Sequence, residues 1–242
     1  MSSHSPAPPQ ALTQPQAAPM PNCSLEDAVL ARRSVRGFLP EPVPQEILNR
    51  VFNLAQQAPS NCNIQPWHVV VATGAPLRAL EDKLVAEVSS GRRTEPDFAR
   101  VDQFEGIYRR RQVDTAAALY GNMGIARDDK TGRRWAMLRN FEFFDAPHGA
   151  FVFMPRQFGA TVALDVGMYA QTLMLAMTAH GISSCAQASI GRYPAIVRAH
   201  LGVDENMGLL MALSFGYEDP AVAANRTRVP RAPLEQEVRF ME

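Results

Sequence analysis

Residues 159–181 read GATVALDVGMYAQTLMLAMTAHG, the stretch of this chain that most resembles a membrane span. Its length is close to that of a bilayer crossing, which takes about 20 apolar residues. Asp165, Gln171 and His180 interrupt it, however, and a charge at the middle of a membrane costs roughly 3 kcal/mol or more. We therefore predict a helix that is buried on nearly every face, inside a domain or between two subunits, and no membrane partner.

Further helices are predicted on both sides of this segment. Ser24 followed by Asp27 is typical of an N-cap with an acidic residue three positions on, so a first helix should begin there. Apolar residues at helical spacing predict a second helix after Pro44, and others over 77–88 and around 194–201. The helices outnumber the strands.

Three short apolar runs predict strands at 68–73, 149–154 and 208–217, and the β-branched run 68–73 should be buried. The segment 183–194, SSCAQASIGRYP, is predicted as a loop. Few strands among many helices indicate an α+β or α/β fold. No glycine-rich turn follows a strand, which argues against a Rossmann nucleotide site.

Composition excludes several classes of protein. Among 242 residues, Lys+Arg and Asp+Glu each number 24, so the basic footprint of a nucleic-acid partner is absent. The 3 cysteines, Cys23, Cys62 and Cys185, are widely spaced, which argues against a disulfide scaffold and a zinc site and favours a reducing, cytoplasmic compartment. Residues 1–22 are rich in Pro, Ala and Gln; we expect a disordered leader before a single domain over 23–242.

A first polar cluster, RRSVR, follows the first helix. It contains Arg32, Arg33, Ser34 and Arg36. Guanidinium groups and a hydroxyl at this spacing could bind a phosphate and its polar tether, because arginine offers a planar fork of donors. Alternatively, basic residues at a helix end complement the helix dipole.

A second polar cluster lies between a predicted helix and the strand 68–73, in the sequence APSNCNIQPWHVVV (58–71). Its amide and hydroxyl groups suit the polar edge of a planar heterocycle. Alternatively, Pro and Asn only form the turn that connects the helix to the strand. We expect Trp67 to belong to the core. A third cluster, NRTRVPRAP (225–233), could be a solvated basic tail.

In this order RRSVRGF, APSNCNIQPWHVVV, FFDAPH (143–148), the long apolar helix, LSFGY (213–217) and NRTRVPRAPLEQ (225–236) resemble the FMN-dependent nitroreductase family. The resemblance covers about residues 24–240. It implies a nitroreductase-like α+β fold, in which helices flank a small antiparallel sheet. It also implies an obligate, intertwined homodimer with two FMN molecules at the interface. A long helix that is apolar on all sides agrees with such a dimer.

The resemblance assigns the first cluster to the cofactor. Arg32 and Ser34 match positions that hold the FMN phosphate and ribityl chain, and Arg33 between them would contact FMN through its backbone or side chain. Arg36 matches the basic residue beside N1 and the C2 carbonyl, where a cation stabilises the negative charge of reduced flavin.

The second cluster matches a loop that reaches the flavin of the other subunit. Pro59, Ser60 and Asn61 would contact the ring and ribityl group, and Asn63 and Gln65 belong to the same motif.

The remaining cofactor contacts come from later segments. Backbone N–H groups near flavin N5 are expected from four residues, Ala186, Gln187, Ala188 and Ser189. Arg228 and Arg231 match basic residues that close on the phosphate, and Asn140 is a further candidate for a ring contact. The resemblance requires no catalytic side chain, because flavin N5 accepts and returns the hydride, and no metal.

Residues 91–140 are polar and are predicted to form a surface excursion that covers the substrate. Tyr108, Tyr120 and Met123 are candidate substrate contacts, and Arg109–Arg111 would suit an anionic aromatic compound. Alternatively, these arginines form a solvated helix face.

The resemblance therefore predicts an oxidoreductase that passes electrons from NADH or NADPH through FMN to a small nitroaromatic molecule in a ping-pong cycle. Three other activities remain open. The same fold could reduce quinones or activated alkenes, or could dehalogenate its substrate reductively, and the chain could be a flavin-binding protein with little turnover.

Overall fold

The computed structural model describes residues 23–101 and 103–242, and the predicted leader over residues 1–22 lies outside the described residues. The described residues form a 4-stranded antiparallel sheet in the order β1-β2-β4-β3. The strands are β1 (His68–Thr73), β2 (His148–Pro155), β3 (Ser183–Gln187) and β4 (Met207–Gly216). The helices are α1 (Leu25–Ala31), α2 (Gln45–Ala55), α3 (Ala75–Ser90), α4 (Gly106–Asn122), α5 (Lys130–Leu138), α6 (Ala160–Ala179), α7 (Pro194–Leu201) and α8 (Leu234–Glu237).

Helices cover both faces of the sheet because β2 directs alternate side chains to opposite sides. Val152 and Met154 pack in a cluster with residues of α2 and α6. Phe151 and Phe153 pack on the other side, with residues of α3 and α7. The sheet is therefore the middle layer of an α+β fold, as predicted.

The termini of two helices confirm the predicted local signals. Ser24 and Asp27 form a reciprocal capping box at the start of α1, where Ser24 Oγ accepts from the Asp27 N–H at 3.1 Å. The second helix begins directly after Pro44 and buries Val51 and Ala55. Hydrogen bonds and apolar contacts within a few residues explain why these two boundaries are visible in the sequence.

The predicted burial of the strand 68–73 and the predicted loop over 183–194 were wrong. The residues 68–73 do form β1, but Ala72 alone of them is buried, because β1 pairs with β2 and no other described strand covers its outer edge. The predicted loop over 183–194 contains β3, in which Ser183–Gln187 pairs with β4. The polar residues of β3 carry no strand signal of their own, and pairing with a long apolar neighbour makes them a strand.

The long apolar helix α6 contributes Val166, Tyr169 and Leu173 to the core and contacts α1 and α2. It is long and apolar enough to cross a membrane by length and composition alone. Within one chain it is not buried on nearly every face, because Leu164 is 68% exposed and Met168 is 39% exposed. Of the two predicted settings, a helix enclosed by a single domain is therefore wrong.

Candidate active site

The segment that carries the first arginine cluster runs beside β3. Helix α1 has no basic residue in its last turn and ends at Ala31, so a simple complement to the helix dipole does not explain the cluster. The Val35 N–H donates to the Ser184 carbonyl at 3.0 Å, and the Arg36 N–H donates to Asn225 Oδ1 at 2.6 Å. These bonds fix the backbone on which the arginines are mounted.

A cavity of about 730 Å³ lies beside this segment. The structure brings Arg32, Ser34 and Arg36 together there with Arg228 and Arg231, which lie about 190 positions further along the chain. Other lining residues include Leu30, Arg33, Thr115, Gln171 and Thr227. None of the described residues that line this cavity is acidic. Such a donor set fits a phosphate and a polyol, which both accept hydrogen bonds. We call it the phosphate cavity.

Asn225, a residue not predicted from the sequence, joins the tail to the arginine segment. Its buried side-chain amide donates to the carbonyls of Gly37 and Asp219, each at 2.9 Å. Arg228 donates from Nη1 to the Asn225 carbonyl at 2.8 Å. The Asn in NRTR was the available signal, but its partners in the arginine segment, Arg36 and Gly37, lie about 190 positions away and leave no local pattern.

The guanidinium group of Arg33 is engaged within the protein. It forms an ion pair with Glu218, and both side chains are about one quarter exposed. Its Nε atom is buried and has no hydrogen-bond partner among the described residues. This geometry leaves the backbone of Arg33 for the cofactor contact expected there.

The second polar cluster lies away from the phosphate cavity of its own chain. The side chains of Pro59, Asn61, Asn63 and Gln65 are exposed, and Ser60 Oγ accepts from the Gln65 N–H at 3.0 Å.

Backbone strain indicates that this loop holds a specific conformation and is more than a simple connection between a helix and a strand. Cys62, Asn63 and Gln65 have positive φ angles of 49°, 56° and 46°. The Asn61 N–H donates to the buried carboxylate of Asp165 on α6 at 3.1 Å. Non-glycine residues persist in this region only where the surrounding structure holds them. Trp67 is core, as predicted, and stacks on Tyr169 with ring centroids 4.9 Å apart.

The end of β3 directs its polar side chain inward. Gln187 is buried; its Nε2 donates to the Asn140 carbonyl at 2.5 Å, and its Oε1 accepts from Ser214 Oγ. Ser189 Oγ is buried and has no partner among the described residues. In the stretch Ala186–Ser189 the side chain of Gln187 is therefore unavailable to a cofactor, which agrees with the expectation that the backbone makes the contact.

A second, smaller cavity of about 230 Å³ adjoins the first, because Arg36 lines both. Helix α4 contributes Leu119 and Tyr120 to its wall, Met123 follows α4 directly, and α5 contributes Trp135 and Met137. Asn140, Phe144 and residues 222–224 complete it with Ala136 and Arg139. We call it the aromatic cavity. Tyr108, the third predicted substrate contact, is 65% exposed and lines neither cavity.

A strained turn that contains Phe144 forms part of the wall of the aromatic cavity. Phe143, Phe144 and Asp145 have consecutive positive φ angles of 48°, 56° and 63°. Arg139 donates from its two terminal nitrogens to the two carboxylate oxygens of Asp145 at 2.8 and 2.5 Å, and from Nη1 to Glu142 at 3.0 Å. Because FFDA contains no glycine, the sequence gives no sign of this conformation.

His148 is structural. Its Nε2 accepts from the Val43 N–H at 2.8 Å, its Nδ1 lies 2.8 Å from Thr73 Oγ1, and its ring stacks on Phe215. Burial lowers the pKa of His148 from 6.5 to about 4. The ring is neutral at pH 7, because a protonated Nε2 could not accept the Val43 bond. No group of three or more potential metal ligands occurs in residues 23–101 and 103–242.

Comparisons with known proteins agree with this architecture. The family model described as the nitroreductase family matches residues 29–217. The chain is 46% identical over 215 residues to nitroreductase NfnB of Mycolicibacterium smegmatis, which covers 89% of this chain and 92% of that protein. It is 34% identical to 4-nitrobenzoate reductase of Pseudomonas putida over 89% of this chain and 95% of that protein.

Solved structures give the same result. The crystal structure of the FMN-dependent nitroreductase NfnB from Mycobacterium smegmatis in complex with NADPH matches with a TM-score of 0.86 and 45% identity. The match covers 90% of this chain and 97% of that one. The family model, the relatives and the shared fold lead to one conclusion: this chain belongs to the nitroreductase family.

Proposed function

We propose that this protein is an FMN-dependent oxidoreductase that passes electrons from NADPH to a nitroaromatic compound. The observation that carries the proposal is the phosphate cavity, where Arg32, Ser34 and Arg228 converge without an acidic neighbour in the lining. The relatives support the same activity, since they include an FMN-dependent nitroreductase in complex with NADPH and a 4-nitrobenzoate reductase.

Each group of residues has a distinct task. Arg32, Ser34, Arg228 and Arg231 bind the FMN phosphate and the adjoining ribityl oxygens. Arg36, at the junction of the two cavities, would hold the N1–C2=O side of the ring, where its charge would favour the reduced state. FMN, when bound, supplies hydride acceptance and return at N5.

The aromatic cavity is the site of the nitroaromatic ring in this proposal. Tyr120, Met123 and Trp135 provide flat or deformable apolar contacts, and Asn140 adds a polar group at the same wall. Helices α4 and α5, which supply part of this wall, lie within the segment 91–140 predicted to cover the substrate.

Two copies of the chain form the working unit. Leu25 and Leu30 of α1 are 73% and 76% exposed, and Leu164 of α6, the helix that α1 contacts, is 68% exposed. An apolar surface of this kind is typical of a permanent interface rather than of a monomer. In such a homodimer the exposed loop 59–65 of one subunit reaches the flavin of its partner.

The compartment is the cytoplasm. Cys23, Cys62 and Cys185 are all free thiols, and a reducing environment preserves them.

Cofactor analysis and an acceptor screen test the proposal together. The purified protein should be yellow and should release FMN on denaturation, and it should oxidise NADPH when 4-nitrobenzoate is added. Release of FAD, or no flavin after reconstitution with both, would refute the cofactor assignment. Initial rates that are higher with quinones, enones or halophenols than with nitrobenzoates and nitrophenols would replace the nitroaromatic acceptor by another substrate of the same fold.

A further inference from the structure

A third cavity, of about 430 Å³, lies between the first half of α4 and the C-terminal tail. Four arginines line it, Arg110, Arg111, Arg228 and Arg231. It adjoins the phosphate cavity, because Arg228, Val229 and Arg231 line both, as does Thr115. The acidic residue in its lining is Asp114, one helical turn beyond Arg110.

The positive charge around these two cavities exceeds what one FMN phosphate neutralises, since a phosphomonoester carries about two negative charges at pH 7. Arg33 is paired with Glu218, and Arg111 is paired with Glu237 at 2.5 Å. Arg32 and Arg228 suffice for the FMN phosphate. Arg110, which lines the third cavity but not the phosphate cavity, and Arg231, which lines both, then supply positive charge beyond that of the FMN phosphate.

Neither of these two arginines meets an acid in the described part of the chain. Arg231 donates only to the carbonyls of Val229 at 3.2 Å and Pro230 at 3.5 Å. The Arg110 side chain forms no ion pair with any described residue, including Asp114 on the same face of α4. Guanidinium groups that line a concave surface without counterions are suited to bind a second anionic group.

We propose that this third cavity binds the 2′-phosphate of NADPH, with Arg110 as its principal ligand and Arg231 on the opposite wall. The inference rests on the proposed function, because the reductant must place its nicotinamide at the flavin and extend its adenosine half elsewhere. The 2′-phosphate is the one group that distinguishes NADPH from NADH. A planar guanidinium binds such a group through two parallel hydrogen bonds.

Steady-state kinetics of the holoenzyme test the assignment with a matched pair of variants. Arg110→Gln should raise the ratio of KM for NADPH to KM for NADH by roughly 10-fold, the loss expected for one charged hydrogen bond. Arg109→Gln is the control: Arg109 precedes Arg110 on α4, bonds to Gln112 at 2.5 Å, and lines none of the three cavities. It should leave the ratio unchanged.

Calorimetry with 2′,5′-ADP and 5′-AMP on the oxidised holoenzyme tests the same site without turnover. The wild-type protein should bind 2′,5′-ADP more tightly than 5′-AMP, and Arg110→Gln should abolish the difference. Equal binding of the two nucleotides by the wild-type protein, or a KM ratio unaltered in Arg110→Gln, would overturn the proposal.

The carboxylate of an aromatic acceptor is the other anion that such a cavity could take. If Arg110→Gln raised KM for 4-nitrobenzoate but not for NADPH, the cavity would belong to the acceptor and the proposal would be wrong. A wild-type protein that oxidised neither NADPH nor NADH would refute the proposed function, whereas the nucleotide binding would still decide this site.

Discussion

The strained turn over Phe143–Asp145 can be tested by stability measurements. At this turn a glycine variant should be more stable than the alanine variant, the reverse of their usual order of stability. Asp145 has a φ of 63°, a region where an L-residue is disfavoured by roughly 1–2 kcal/mol and glycine is not. Glycine also lowers the free energy of unfolding by about 0.5–1 kcal/mol, because it gains more conformational entropy than alanine in the unfolded chain. Asp145→Gly should therefore be more stable than Asp145→Ala by about 0.5–1 kcal/mol.

Both variants remove the same ion pair with Arg139, so that loss cancels when they are compared. Because the Asp145 side chain is 62% exposed, the pair contributes at most about 1 kcal/mol. We expect Asp145→Ala to lower the free energy of unfolding by about that amount, and Asp145→Gly to lie close to the wild type.

Equilibrium urea unfolding at one fixed protein concentration measures these differences. Ala117→Gly provides a control of opposite sign, since Ala117 is exposed in the right-handed helix α4 and glycine there should cost roughly 1 kcal/mol. If Asp145→Ala proved as stable as Asp145→Gly, or more so, the turn would not store the strain that its dihedral angles indicate.

Three further predictions concern the cofactor, the leader and pH. Arg36→Ala should lower the flavin reduction potential, whereas Arg32→Ala should mainly weaken FMN binding by roughly 1.5–3 kcal/mol; redox titration and FMN dissociation constants separate the two, and an unchanged potential in Arg36→Ala would refute its role. Deletion of residues 1–21 should shift the melting temperature by less than about 5 °C, because a segment of Pro/Ala/Gln composition offers little apolar surface to bury. Burial lowers the pKa of His148 to about 4, so its unfolded form, with a pKa of 6.5, takes up the proton first as the pH falls. The free energy of unfolding should therefore drop by about 2 kcal/mol between pH 7 and pH 5. His148→Gln should make this drop smaller when urea unfolding is measured at both pH values. An equal drop in the variant would contradict the lowered pKa of His148.

Signals that act within a few residues were sufficient to predict much of the fold. The Ser24–Asp27 cap and the apolar face of α2 appear in the structure where the sequence indicates them. The order of the RRSVR and PSNCNIQPW motifs predicted the family, which the matched family model confirms. These features depend on helical periodicity, caps and short motifs, all of which are local properties of the chain.

Tertiary contacts decided the rest. The polar segment Ser183–Gln187 became a strand because β4 pairs with it, and β1 stayed exposed because it lies at the edge of the sheet. Arg33 is bound to Glu218, which lies 185 positions away. The third cavity exists because the tail with Arg231 folds against α4. Hydrogen bonds, ion pairs and cavities between distant segments depend on where the chain returns in space, so they leave no periodic trace in the sequence.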